Sequence, residues 1–180
     1  MQCRPVTVTT RLVRHDDVPA ITDLLRVNRE FLAPWEPART EEYFTETAQR
    51  ALVETGLAAY ERGTAVPHVI LDDGELVGRI NLNDIVRGPF LSAHLGYWVA
   101  QSANGRGVAS AAVAAIARVA FGEIGLHRIQ ASTLLHNAAS QRVLERNGFV
   151  RIGMAPEYLS IAGRWQDHAL FQLIAPEPAA

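Results

Sequence analysis

At 180 residues, with 48% hydrophobic and 20% charged side chains, the chain has the size and composition of one ordinary globular domain, which excludes disordered and collagen-like architectures. A formal net charge of −2 supplies no broad basic face for general nucleic-acid binding, and the single cysteine, Cys3, permits no intrachain disulfide. The N-terminal region carries Arg4, Arg11, Arg14, Asp16 and Asp17 without an apolar run of signal-peptide length, and the most apolar stretch, Val108 to Phe121, is interrupted by Ser110 and Arg118, so the expectation is a cytoplasmic protein without membrane association.

In chain order, Thr9 to His15 reads as a strand. Asp16 and Asp17 then offer an N-cap and first-turn charge to a helix over Val18 to Val27. Phe31 to Pro37 holds two prolines and two aromatics and reads as a loop. Glu41 to Arg62 has apolar residues at helical spacing with acids crowded at its start, and so reads as one long helix. Val66 to Leu71 and Leu76 to Val86 flank Asp72-Asp73-Gly74, whose Asp-Gly pair suits the positive φ angles of a tight hairpin turn. His94 to Ala100 is rich in strand formers, and an alanine-rich helix starts at Val108. Beyond Gly125 come a strand over Ile129 to Leu135, a helix capped by Asn137 and ended by Gly148, and a hairpin of Phe149 to Ile161 with Trp165 to Ile174 about Ala162-Gly163. There is no internal repeat or linker, which makes 1–180 one domain with a core over about 8–174; only the last few residues look frayed.

The segment Asn104-Gly105-Arg106-Gly107-Val108-Ala109 lies between a strand and a helix. Side-chain-free glycines at a helix N-terminus present backbone N–H groups and the positive end of the macrodipole, a fit for phosphate, and Arg106 can add charge. The same residues could merely form a turn that needs glycine. A P-loop requires a lysine that this chain lacks altogether, and a dinucleotide fingerprint fails at Ser110 and lacks its acidic ribose partner.

The segment resembles the [QR]-x-x-G-x-[GA] cofactor loop of the GNAT acetyltransferase superfamily, with Asn104 replacing the usual glutamine or arginine. Asn137 to Phe149 resembles that family's second cofactor-binding helix, and the order of elements matches its fold over nearly the whole chain. The resemblance implies an α/β (α+β by some schemes) domain: a mixed, mostly antiparallel twisted sheet of six to seven strands with about four helices. It also implies acetyl-CoA as co-substrate, no metal, and cofactor contacts from Trp98, Val99, Asn104, Gly105, Arg106, Gly107, Val108, Ala109, Asn137 and Ser140.

Asn28 to Pro37, Val86-Arg87-Gly88 with Phe90, Leu95-Gly96-Tyr97 and Gly163 to His168 further resemble the bacterial ribosomal-protein-alanine N-acetyltransferase branch. That resemblance implies acceptor contacts from Asn28, Phe31, Trp35 and Asn81, a ribosomal protein N-terminus as acceptor, and compatibility with a homodimer. Many members use a tyrosine to protonate the departing thiolate, but the matching position here is Leu144. The branch offers Ser140 in that role, against a plain capping role, and Glu157 as an acid that activates the amine through water, against a solvated surface carboxylate. The backbone N–H near Val99 would polarise the acetyl carbonyl.

The absence of an obvious strong base leans toward an α-amine, about 10 to 15 percent neutral at pH 7, over a lysine, which is below about 0.1 percent neutral. His15 beside Asp16 and Asp17 reads as helix capping rather than a metal site. His68, His94, His127, His136 and His168 are scattered without ligand spacing. The acidic run Glu41, Glu42 and Glu46 reads as a solvated helix start more readily than as a trap for a basic peptide. Acetylation of a small-molecule amine and non-catalytic CoA binding remain as alternatives, with a nicotinamide dehydrogenase a remote third.

Overall fold

The computed structural model describes residues 7–176; Cys3 and the C-terminal residues expected to fray lie outside them. One seven-stranded sheet runs in the order β1-β2-β3-β4-β5-β7-β6. Its strands are β1 (Val8–Leu12), β2 (Val66–Asp72), β3 (Glu75–Val86), β4 (Ser92–Val99), β5 (Arg128–Leu134), β6 (Val150–Ile161) and β7 (Arg164–Ile174). The helices are α1 (Val18–Val27), α2 (Arg29–Leu32), α3 (Glu46–Glu61), α4 (Val108–Arg118) and α5 (Ala138–Arg146). Among the described residues β4 and β5 are the parallel pair and all other pairings are antiparallel.

Strand alternation sends neighbouring residues to opposite faces, so Ile70 and Val69 join different apolar clusters. One face packs Ile70, Ile80, Leu82 and Leu95 under Val113 and Ile116 of α4 and Leu144 of α5. The other packs Val69 under Ile21 and Leu25 of α1 and Val53 of α3.

Both tight hairpins follow from their turn chemistry. Asp73 and Gly74 take φ of 49° and 87° between the partners Asp72 and Glu75, and Ala162 and Gly163 take 50° and 78° between Ile161 and Arg164. Two left-handed residues in a row give the primed turn that matches strand twist. At the end of α5, Gly148 (φ 80°) lets Gly148 N–H reach the Glu145 carbonyl and Phe149 N–H reach the Leu144 carbonyl, a Schellman closure that drops Phe149 into the core.

Four boundaries differ from the sequence expectation. The first strand stops at Leu12, and His15–Asp17 form a 3-10 turn. Asp17 makes no side-chain cap on α1; its carboxylate instead accepts from Arg11 at 2.8 and 2.7 Å and from Arg14 N–H at 2.8 Å, and Arg11 holds it below its ordinary pKa. The supposed loop at Phe31 begins as the helical turn α2. The long helix from Glu41 is broken at Thr45, whose extended ψ of 150° separates a 3-10 turn at Glu41–Phe44 from α3 and whose hydroxyl caps Ala48 N–H at 3.3 Å.

A buried histidine gives the fold a pH dependence. His68 on β2 is 8% exposed, its Nδ1 lies 3.3 Å from the Thr10 hydroxyl, and burial, with Arg11 nearby, pushes its pKa down to about 4. Between that value and the ordinary 6.5 the unfolded chain binds the extra proton and the folded one does not. Stability is therefore fullest above pH 6.5 and falls by up to about 3 kcal/mol as pH drops toward 4. Urea unfolding of the wild type and His68→Leu at pH 7 and pH 4 checks this: the wild type should lose more stability on acidification than the variant.

Candidate active site

Hydrogen bonding between β4 and β5 stops early. Their register runs from Ser92↔Arg128 to Leu95↔Ala131, beyond which Gly96–Val99 and Ser132–Leu134 part company. Ala100 N–H donates to the Val77 carbonyl on β3 at 2.8 Å. By alternation the N–H and carbonyl of Val99 point the other way, into the gap. The sheet is thus split, with an unused backbone donor on one lip.

At the mouth of the split lies the glycine loop. Gly105 and Gly107 have φ of 75° and 82°, and a Cβ built on either would meet open space. Such φ values suit glycine, because a side chain in this region costs about 1–2 kcal/mol. The first N–H of α4 with an acceptor is that of Ala111, bonded to Gly107, so the donors of Val108, Ala109 and Ser110 remain available. A cleft of about 490 Å³ runs along this loop and helix end and is lined by Asn104, Gly105, Gly107, Val108, Ala109, Trp98, Val99, Asn137 and Ser140. An elongated molecule with an anionic head fits these donors.

Arg106 does not line the cleft. Its guanidinium donates to Asp72 Oδ2 at 2.7 Å, so it anchors the loop to the end of β2. The cationic lining comes from Arg142 and Arg146 of α5, which the sequence reading assigned no role although their i, i+4 spacing places them on one helix face.

A second cavity of about 170 Å³ adjoins the cleft, and the two share Trp35, Tyr97, Asn137 and Ser140. These four residues stand where two reactants would meet. Asn137 Oδ1 accepts from Ser140 N–H at 3.1 Å and so closes the first turn of α5. Ser140 Oγ lies 2.8 Å from the Tyr97 hydroxyl, which is also 3.4 Å from the Ser140 carbonyl. Either hydroxyl can donate across the shorter contact; with the phenol donating its single proton to Ser140 Oγ, the Ser140 proton is free to point elsewhere. Burial pushes the Tyr97 phenol up to about 12, and it stays protonated across the neutral range. Leu144, at the position where many family members carry a tyrosine, is fully buried and lines the smaller cavity. Tyr97 thus supplies a hydroxyl from a different strand.

Not every expected acceptor residue is brought here. Phe31 and Trp35 line the cleft, with the Trp35 ring 5.5 Å from that of His136. Asn28 does not; buried at 4% exposure, it accepts from Gln101 N–H and donates to the Leu24 carbonyl, both at 2.8 Å, tying α1 to the chain after β4. Asn81 sits on β3 opposite Gly96, its Oδ1 buried without a partner, and lines neither cavity. Glu157 stands exposed on a bulge of β6 with φ of 45°, its N–H bonded to Asp167, and is likewise outside both linings. Among the described residues no three His, Cys, Asp or Glu side chains converge as metal ligands would.

The family model described as acetyltransferase (GNAT) domain matches residues 8–150. The chain belongs to the GNAT acetyltransferase family. Over 172 residues this acetyltransferase is 34% identical to the ribosomal protein uS5-alanine N-acetyltransferase of Escherichia coli (strain K12), covering 94% of this chain and 89% of that protein. It superposes on Mycobacterium smegmatis RimJ in complex with CoA-disulfide with a TM-score of 0.90 at 34% identity, covering 93% and 82% of the two chains. The ribosomal-protein-S5-alanine acetyltransferase of Vibrio fischeri gives 0.89 at 31% identity, covering 94% of each. The GNAT protein is an acetyl-CoA-dependent N-acetyltransferase.

Proposed function

We propose that this acetyltransferase modifies the N-terminal α-amino group of a protein, with an alanine-started ribosomal protein as its acceptor. The observation that carries the reading is the second cavity, which meets the cofactor cleft at Ser140 and Tyr97 and contains no carboxylate in its lining. A lysine ammonium arriving there would find no carboxylate counter-ion and no base stronger than an imidazole. An α-amine needs less help, since about 10 to 15 percent of it is already neutral at pH 7. The relatives named for alanine acetylation support the choice of residue.

Acetyl-CoA supplies the acetyl thioester. The chain's own groups do the rest. Gly105 to Ser110, with Arg142 and Arg146, hold the anionic end. The Val99 N–H is aimed into the split to stabilise a carbonyl oxygen as it gains charge. Ser140, whose proton is free when the Tyr97 phenol donates to its Oγ, hydrogen-bonds the departing sulfur. Trp35, which lines both cavities, and Phe31, which lines the cleft, flank the reactants.

A peptide array with the N-terminal residue varied, incubated with acetyl-CoA and read by mass, tests the proposal. Alanine-started peptides should be acetylated ahead of the same peptides with blocked N-termini and an internal lysine. Turnover confined to lysine side chains, polyamines or aminoglycosides would overturn it.

A further inference from the structure

Of the residues lining the smaller cavity, Tyr97 and His168 are the titratable ones, and His168 has no part in the arrangement described so far. It lies on β7 in register with Leu134 of β5 and Ala155 of β6, and is 3% exposed. Its Nδ1 is 2.8 Å from the carbonyl oxygen of Gln166. Since that oxygen only accepts, Nδ1 carries the proton, and in the neutral ring Nε2 keeps its lone pair. Among the described residues Nε2 has no protein partner. The Tyr158 ring stands 5.7 Å away at 56° and fixes the imidazole from the β6 side. In the same cavity the Thr133 hydroxyl is buried with no hydrogen-bond partner. Two unmet polar groups thus line a chamber of mixed polarity that adjoins the site where acetyl transfer is to occur.

We infer that His168 is the catalytic base of this enzyme, taking a proton from the acceptor amine at Nε2. The inference rests on the reading of the smaller cavity as the acceptor site. As the nitrogen of the neutral amine bonds to the acetyl carbon and the carbon–sulfur bond breaks, one N–H proton passes to Nε2. The sulfur departs as thiolate with its electron pair, hydrogen-bonded by Ser140. His168 becomes an imidazolium and returns its proton to water. Imidazole is the side chain suited to this task near neutral pH, and holding Nδ1–H on a carbonyl orients the other nitrogen as an acceptor. Glu157, on the exposed bulge, reaches neither cavity.

The groups around the ring that can titrate are few. β6 presents Tyr158 and β4 presents Tyr97. Asp167, adjacent on β7, accepts the Glu157 N–H. β5 and α5 contribute Ser132, Thr133, Leu134 and Ser140, none of which titrates near neutrality.

The test combines kinetics with a measurement made without acetyl-CoA. His168→Gln should lower kcat for an alanine-started peptide by about 100-fold, leave the Kd for CoA unchanged, and make the acid limb of the pH profile of kcat less steep, since only protonation of the amine then shapes it. In wild-type protein, imidazole nitrogen NMR should show the Nδ1–H tautomer for His168, assigned by the signal missing in the variant. The Nε2 shift should move when peptide alone is added. A variant within threefold of wild type would overturn the assignment, and so would a wild-type Nε2 shift indifferent to peptide, a readout that does not depend on the variant being active. If the wild type failed on every free N-terminus but acetylated another amine, the acceptor reading itself would fall; if it acetylated peptides and the variant did so equally, His168 alone would be excluded.

Discussion

Gly78→Ala is expected to destabilise the protein by about 1–3 kcal/mol or more, and to lower acetyl transfer beyond what the loss of folded protein explains. A Cβ at residue 78 would lie 2.2 Å from the Trp98 carbonyl oxygen, 3.0 Å from Val99 Cα and 3.2 Å from the Trp98 carbonyl carbon. All three are backbone atoms, so no side chain can swing aside; β3 and β4 must separate. The reason for glycine is space rather than backbone angle, because Gly78 has no positive φ. Against a total stability of about 5–15 kcal/mol the loss is large. The strand pushed away is the one that turns its Val99 N–H into the split, and misplacing such a donor by about 1 Å can cost about 100-fold in rate. Thermal melts and kcat per folded molecule measure the two effects. Gly153→Ala, where an added Cβ meets nothing within 4 Å and φ is not positive, is the control and should be close to neutral. Equal melting of Gly78→Ala and wild type would show that the strands part freely.

Ser140→Ala should reduce kcat by about 100-fold and Tyr97→Phe by about 10-fold, while the double variant should be no slower than Ser140→Ala alone. The non-additivity follows from the 2.8 Å contact: the phenol acts through the serine hydroxyl, and once that hydroxyl is gone the phenol has nothing left to orient. With its pKa near 12, Tyr97 should also contribute no fall in rate between pH 8 and 10. Steady-state kinetics of the three variants settle the matter. Strict additivity would mean that the two hydroxyls work independently, and a wild-type rate in Tyr97→Phe would reduce the phenol to packing.

What was legible in the sequence was local. Asp73-Gly74 and Ala162-Gly163 announce their turns because the left-handed backbone they adopt is written in residue type, and the glycine loop announces an anion site for the same reason. Asn137 is a cap readable three residues ahead of the N–H it serves. The misses are partnerships between residues remote in the chain. Tyr97 and Ser140 are 43 residues apart and Arg106 and Asp72 are 34 apart, so neither contact has a spacing to detect. Asp17 had the right residue type for a cap, but Arg11, six residues back, made a better partner than the helix. Thr45 was lost inside an apolar periodicity that continues across the break. Glu157 has a suitable carboxylate, yet the bulge that carries it is set by the β6–β7 register, which no local signal encodes.

The early end of pairing between β4 and β5 has a mechanical side. The sheet is really two leaves, β1 to β4 and β5 to β7, stitched by the four register pairs from Ser92↔Arg128 to Leu95↔Ala131 and backed by α4 and α5. A ligand seated in the split supplies the missing rungs between the leaves, so occupancy should stiffen the molecule as a whole as well as fill a site. On the proposed reading the seam left open between the leaves is also where the chemistry takes place: the reactants would be threaded through the missing stitches.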